Sequence, residues 1–223
     1  MINKIKLFFD RNLLLRIITG IFFVVPFVLL IINGGYLFII YFLLILSILI
    51  YELVNVTSAV SKISYKLRLL LITVLILSIF HFIFLRISND DNIAQYILYI
   101  IFSIWIFDSF SLIGGKLIGG RKLMPYISPN KTYSGLLTGF IFLIIYSLII
   151  IHTFNISYLL IICTLFIGLL SFLGDAIESY FKRFLNIKDF SNFLPGHGGI
   201  LDRMDSFILI FFIHFIMLSF KII

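Results

Sequence analysis

The chain alternates between long apolar runs and short polar breaks. Almost unbroken hydrophobic stretches occupy Leu13–Ile32, Tyr36–Val56, Leu69–Leu85, Ile93–Ile113, Gly135–Thr153, Ser157–Leu173 and Ser206–Phe220. Each approaches the roughly 20 residues that an α-helix needs to cross a bilayer, so the pattern predicts seven membrane-crossing helices. Asn33-Gly34-Gly35 breaks the first pair and Asn155 marks the turn between the fifth and sixth. The first run has no small-residue cleavage site before Pro26, so it is expected to be a retained crossing and not a cleaved signal.

Composition sharpens this picture. Of 223 residues, 62% are hydrophobic and 12% charged, against a charged share of about 25% in soluble domains. A soluble globule, a disordered chain and a coiled coil are thereby excluded. The single Cys163 sits in an apolar run and cannot form an internal disulfide. One domain, 1–223, is expected, with amino-terminal helices over 1–90 and catalytic helices and loops over 93–223.

Charge distribution then supplies a topology. Fifteen of the 17 Lys and Arg residues fall before or at the start of the first helix or after the second, fourth and sixth; Arg86 and Lys221 are the exceptions. Under the positive-inside rule the amino terminus and these loops are cytoplasmic and the carboxyl terminus lies outside. The net charge of +7 is therefore read as a topological marker. The expected fold class is all-α, a polytopic membrane protein of about seven transmembrane helices with a polar active site on the cytoplasmic side.

The acids divide into two groups. Asp10, Asp90, Asp91 and Asp189 lie in polar segments, whereas Glu52, Asp108, Asp175, Glu178, Asp202 and Asp205 lie within or at the ends of apolar runs. A carboxylate in that setting is costly unless paired or facing water, which makes each a functional candidate with a structural salt bridge as the alternative.

Two cytoplasmic segments hold the candidate chemistry. In the first, Ser179 to Asp205, a continued sixth helix would align Asp175, Glu178, Ser179 and Lys182 at spacings of three and four. Asp202 and Asp205 share a face at the start of the last helix. Carboxylates of Asp175, Asp202 and Asp205 at helix ends make an oxygen-rich site suited to Mg²⁺, and no Cys/His set with zinc spacing competes. Pro195-Gly196-His197-Gly198-Gly199 lies between them, a stretch that can turn backbone N–H groups toward an anion or serve as a flexible turn. Lys182, Arg183, Lys188 and Arg203 surround it. His197 could donate to a phosphate or satisfy the loop itself. His81, His152 and His214, on apolar helices or at an end, are read as structural.

In the second segment, Asp108 to Gly135, the pairs Gly114-Gly115 and Gly119-Gly120 allow close backbone approach. Ser128-Pro129-Asn130-Lys131-Thr132 presents hydroxyls and an ammonium ahead of the fifth helix. That is a phosphate-holding arrangement or an ordinary helix cap.

The run Ser179, Lys182-Arg183, Lys188-Asp189, Pro195-Gly196-His197-Gly198-Gly199, Asp202-Arg203 and Asp205 resembles the signature of the phosphatidate cytidylyltransferase (CDP-diacylglycerol synthase) family. Gly174-Asp175, Glu178-Ser179 and the Ser128 to Thr132 loop are similar to other segments of that family, and the likeness covers roughly the carboxyl-terminal half. The resemblance implies a membrane nucleotidyltransferase of phospholipid biosynthesis that moves a cytidylyl group from CTP to phosphatidic acid. Mg²⁺ is its expected cofactor, with a monovalent cation such as K⁺ as a candidate second ion, and Asp175, Asp202 and Asp205 fall on its metal-holding positions. Lys182 and Arg203 join those acids as expected catalytic residues. Asp108, Ser128, Lys131, Thr132, Ser179, Arg183, Lys188, His197, Gly198 and Gly199 are the expected substrate-binding set. Two positions depart from the family pattern: Ser134 stands where Glu or Gln is usual, and Phe110 where Gly is frequent.

The residue chemistry agrees. A lipid phosphate is its own nucleophile, so no Ser, Cys or His nucleophile is needed and no triad is apparent. The expected partners are CTP and membrane phosphatidic acid, with no nucleic acid and a homodimer left open; the expected location is the plasma (inner) membrane, multi-pass. Competing classes are another CTP-dependent lipid-phosphate transferase or polyprenol kinase, and a cation-coupled transporter. Acids gathered at cytoplasmic helix ends, with no internal repeat, argue against the transporter.

Overall fold

A computed structural model describes residues 11–58, 63–88, 92–194 and 198–220, without side-chain detail for 11–19 and 21. Its elements in chain order are α1 (Arg11–Asn33), α2 (Gly35–Ser58), α3 (Tyr65–Ile87), α4 (Ile93–Leu117), β1 (Lys122–Met124), β2 (Ser128–Thr132), α5 (Tyr133–Phe154), α6 (Leu159–Phe184) and α7 (Leu201–Ser219). The helical character matches expectation; the small two-stranded sheet was not foreseen. Among the described residues five helices, α2 to α6, are long and apolar enough to cross a membrane. Within those same described residues, the other two expected spans fall short of that measure for identifiable reasons. The described apolar part of α1 is only Phe22–Asn33, and α7 carries Asp202, Arg203 and Asp205 within its first turn and a half.

Local chemistry explains the breaks. Gly34 and Gly35 both adopt positive φ, +63° and +75°, which a residue with a Cβ resists, and this separates α1 from α2. Arg86 of α3 donates from Nε to Ile31 O (2.6 Å) and from a terminal nitrogen to Ile32 O (2.9 Å). One of the two basic residues outside the main charge pattern thus satisfies carbonyls that the end of α1 leaves open. Asn155 closes α5 in the left-handed conformation. Ser64 caps α3 by accepting from Leu67 N.

The chain forms two compact units, Met1–Ala94 with Ile187–Met204, and Gln95–Asn186 with Asp205–Ile223. Residues 187–204 thus group with the amino-terminal helices. The core of the first unit is aromatic. Phe38, Phe42 and Phe82 are fully buried, with ring centroids 4.8 Å apart for Phe38 and Phe42 and 4.6 Å for Phe42 and Phe82.

The second unit is built on small residues, the usual way for helices to approach closely in lipid. A Cβ on Gly114 would overlap Thr138, one on Gly139 would overlap Ser111, and one on Gly168 would overlap Leu143. Thr138 Oγ1 donates to Phe110 O (3.1 Å) across the α4–α5 contact. Phe110, one of the departures, stacks on Phe142 with rings nearly parallel at 8°.

Candidate active site

The second unit brings most of the expected residues together. α6 runs unbroken from Leu159 through Phe184, so Asp175, Glu178, Ser179 and Lys182 share a face at spacings of three and four. β1 and β2 pair antiparallel, with Lys122 opposite Thr132 and Met124 opposite Ser128. Gly119 and Gly120, at φ +68° and +101°, turn the chain out of α4 into this ribbon. The ribbon delivers Lys131 to α6: its Nζ lies 2.7 Å from Asp175 Oδ2 and 4.9 Å from the centre of the Phe172 ring. Ser179 Oγ donates to Asp175 Oδ1 at 3.2 Å. One turn along, Lys182 Nζ is 2.8 Å from Glu178 Oε2. From α7, Asp205 Oδ1 accepts from Ser206 N at 2.7 Å.

Asp175, Glu178 and Asp205 each place a carboxylate oxygen within 4.8 Å of the others. Oxygens around an octahedral Mg²⁺ at about 2.1 Å lie about 3 to 4.2 Å apart, so modest side-chain closure would meet that geometry. The donors are all hard anionic oxygens, and three formal negative charges face two lysines. The residues therefore fit a Mg²⁺ ion. Glu178 is the member that sequence reasoning did not assign to the metal. Its signal was present as the i+3 neighbour of Asp175.

Beside the cluster is a pocket of about 200 Å³ with polar lining from Asp108, Ser128, Asn130, Lys131, Thr132 and Asp175 and apolar lining from Phe107, Leu112, Leu136 and Phe172. Four expected substrate-binding residues, Asp108, Ser128, Lys131 and Thr132, thus line one cavity with an expected metal ligand. Asp108 Oδ1 accepts from Ser171 Oγ (2.9 Å), and Ser206 Oγ donates to Ser171 O (3.0 Å), joining α4, α6 and α7. Thr132 is buried and caps α5 by accepting from Gly135 N at 3.1 Å. The cap reading of its loop holds, and the same loop lines the pocket. Ser134 Oγ donates to Gly119 O, so the second departure ties the end of α4 to the start of α5. Arg183 Nε donates to Ile127 O (3.3 Å), bracing the β-turn.

The other expected residues belong to the first unit. Asp202 Oδ2 accepts from Phe190 N (3.0 Å) and Gly199 N (2.7 Å). Gly198 N donates to Leu194 O (3.1 Å), and Leu194 N to Gly198 O. The amides of Gly198 and Gly199 are thus bonded inside the loop, to Leu194 O and Asp202 Oδ2. Lys188 and Arg203 are exposed here, as are Asp189, Asn192 and Phe193. His197 lies outside the described residues.

A residue left without a role by sequence reasoning organises this loop. Glu52 of α2 is 2% exposed and accepts from Ser191 Oγ (2.6 Å), Ile200 N (3.0 Å) and Leu201 N (2.8 Å). Its signal was the placement of an acid inside an apolar run.

Comparison with known proteins agrees with this chemistry. A model of the cytidylyltransferase family matches residues 58–221. The phosphatidate cytidylyltransferase of Rickettsia bellii is 40% identical over 210 residues, covering 89% of this chain and 87% of that protein. That of Rickettsia conorii is 37% identical over 216 residues, covering 92% and 91%, and that of Bacillus subtilis is 42% identical over 147 residues, covering 64% and 54%. A match over most of the chain, on a helical scaffold whose carboxylates and lysines gather beside one pocket, means that the chain belongs to the cytidylyltransferase family.

Proposed function

We propose that this chain is a phosphatidate cytidylyltransferase, moving the cytidylyl group of CTP to phosphatidic acid to give CDP-diacylglycerol and pyrophosphate. The observation that carries the reading is the grouping of Asp175, Glu178 and Asp205 with Lys131 and Lys182. The relatives that share most of its length bear that name.

The reaction joins two anions, a lipid phosphate oxygen and the α-phosphorus of CTP, and releases a third. Asp175, Glu178 and Asp205 would hold Mg²⁺, whose bound charge would offset that of the phosphate oxygens. Lys131 and Lys182 already sit on two of those carboxylates, so each ammonium can turn to a phosphate oxygen without crossing the site. Asp108, Ser128 and Asn130 supply polar contacts in the adjoining pocket, and its Phe107, Leu112, Leu136 and Phe172 wall suits the glycerol and first methylenes of a lipid. Lys188 and Arg203 are the groups assigned to the triphosphate of CTP. The chain crosses the plasma (inner) membrane about seven times, with this site on the cytoplasmic side, as its basic loops favour. A monovalent cation such as K⁺ is proposed as a second ion.

The test is formation of CDP-diacylglycerol by purified protein in detergent, across a panel of phosphatidic acid, polyprenyl phosphate and other lipid phosphates, with and without Mg²⁺. Turnover restricted to phosphatidic acid, CTP and Mg²⁺ is expected. Turnover of a different lipid phosphate would overturn the acceptor; equal turnover in excess chelator would overturn the metal site.

A further inference from the structure

We infer that Glu52 is a positioning residue for nucleotide binding, acting through the loop 187–200 and the first turn of α7. The inference deepens the proposed function and rests on its assignment of Lys188 and Arg203 to CTP.

The segment between α6 and α7 is long, and ordering it between two helices needs fixed points. Two carboxylates provide them. Asp202 Oδ2 takes the amides of Phe190 and Gly199. Glu52 takes the amides of Ile200 and Leu201, one with each carboxylate oxygen, and the hydroxyl of Ser191. Helices begin with N–H groups that lack internal partners, and an anion there is also favoured by the helix dipole. The acceptor for the start of α7 comes from α2, more than 140 residues earlier in the chain. The fit is close: a Cβ on Gly199 would lie 2.9 Å from both Glu52 oxygens. Lys188 and Arg203 flank the two ends of the segment so fixed. The side chains that would meet a triphosphate are therefore placed by a carboxylate that itself touches no substrate.

Charge alone does not define the requirement. Ile200 N and Leu201 N need acceptors on two different atoms. A glutamine offers one acceptor oxygen and replaces the other with an NH₂ donor. Glu52→Gln is nearly isosteric, so it preserves helix packing while setting a donor against a donor.

The experiment uses the full-length protein in detergent micelles. Hydrogen–deuterium exchange across 187–204 is measured without substrate, and separate KM values are measured for CTP and phosphatidic acid. In Glu52→Gln, exchange at Ile200 and Leu201 should rise about tenfold or more with peptides of α3 unchanged. The KM for CTP should rise about tenfold and that for phosphatidic acid stay within about twofold. Ser191→Ala, which removes one contact and leaves the carboxylate, should shift both readouts in the same direction by about twofold to threefold. It tests the point independently if Glu52→Gln folds poorly. Wild-type exchange in the glutamine variant would overturn the anchoring role, and a parallel rise in both KM values would overturn the link to the nucleotide. An inactive wild-type protein would instead overturn the proposed reaction, while the exchange measurement would still decide the anchor.

Discussion

Gly174 gives the sharpest test of how helix packing governs the carboxylate cluster. It precedes Asp175 on α6, and a Cβ there would meet α7 backbone: Ser206 Cα at 2.8 Å, Asp205 O at 3.1 Å and Ser206 N at 3.2 Å. No rotamer change relieves contact with backbone. Reaching the 3.4 Å at which ordinary contact begins requires α6 and α7 to separate by about 0.6 Å, whereas metal–ligand distances tolerate about 0.2 Å. Overpacking of this size costs about 1–3 kcal/mol of stability. The functional effect should exceed the stability effect, since Asp175 follows Gly174 and Asp205 precedes Ser206, both in the cluster, and misplacement approaching 1 Å can cost about a hundredfold in rate.

Gly174→Ala is therefore expected to raise the Mg²⁺ concentration for half-maximal activity by about tenfold and to lower kcat by about one to two orders of magnitude. It should also diminish the increase in Tm that Mg²⁺ produces in the wild type, a readout independent of turnover. Gly20→Ala is the control: a Cβ at Gly20 meets nothing within 4 Å, and alanine is the better helix former. A Gly174→Ala variant with wild-type kcat and wild-type Mg²⁺ dependence would refute the idea that this close approach sets the metal geometry.

Asp175→Asn and Asp205→Asn should each abolish the Mg²⁺-dependent rise in Tm and reduce turnover by at least about a hundredfold, and a preserved thermal response in both would remove them from the metal site. Lys131→Met should lower turnover by about tenfold to a hundredfold, because Asp175 loses its 2.7 Å partner and the phosphates lose a cation; wild-type kinetics would make the pair a bystander. Asp202→Asn keeps one carbonyl oxygen able to take both loop amides, so exchange at Gly199 should stay within about threefold of wild type, whereas Asp202→Ala should raise it by about tenfold. Equal exchange in the two variants would show that the hydrogen bonds of Oδ2 do not hold the loop.

Most of the helical scaffold was legible because hydrocarbon imposes one rule on every span: about 20 apolar residues with their backbone groups satisfied internally. The expected and observed helices differ mainly at ends, where polar residues enter. α6 extends to Phe184 and α7 begins at Leu201, since Glu178, Lys182, Asp202 and Arg203 are compatible with helix but lower the local hydropathy. The β1–β2 ribbon was hidden because its strands, of three and five residues, lack an alternating pattern and include Pro129. What made it readable only in three dimensions is its register, which carries Lys131 to Asp175.

The site was legible in residue types and less so in partners. A carboxylate in an apolar run announces that it must be satisfied, but the sequence does not say by what, and the two plausible answers are a cation and backbone amides. Asp175 and Asp205 fall with Glu178 among acids close enough to share an ion, whereas Glu52 and Asp202 each accept two amides around one loop. The difference follows from what lies within reach. The face of α6 offers other carboxylates at one-turn spacing, which repel one another unless a cation intervenes. The glycine loop offers N–H groups that no helix or sheet has claimed, and these a carboxylate satisfies by itself. An acid placed to share an ion and an acid that holds a loop therefore look alike along the chain, and the nearest unsatisfied group separates them.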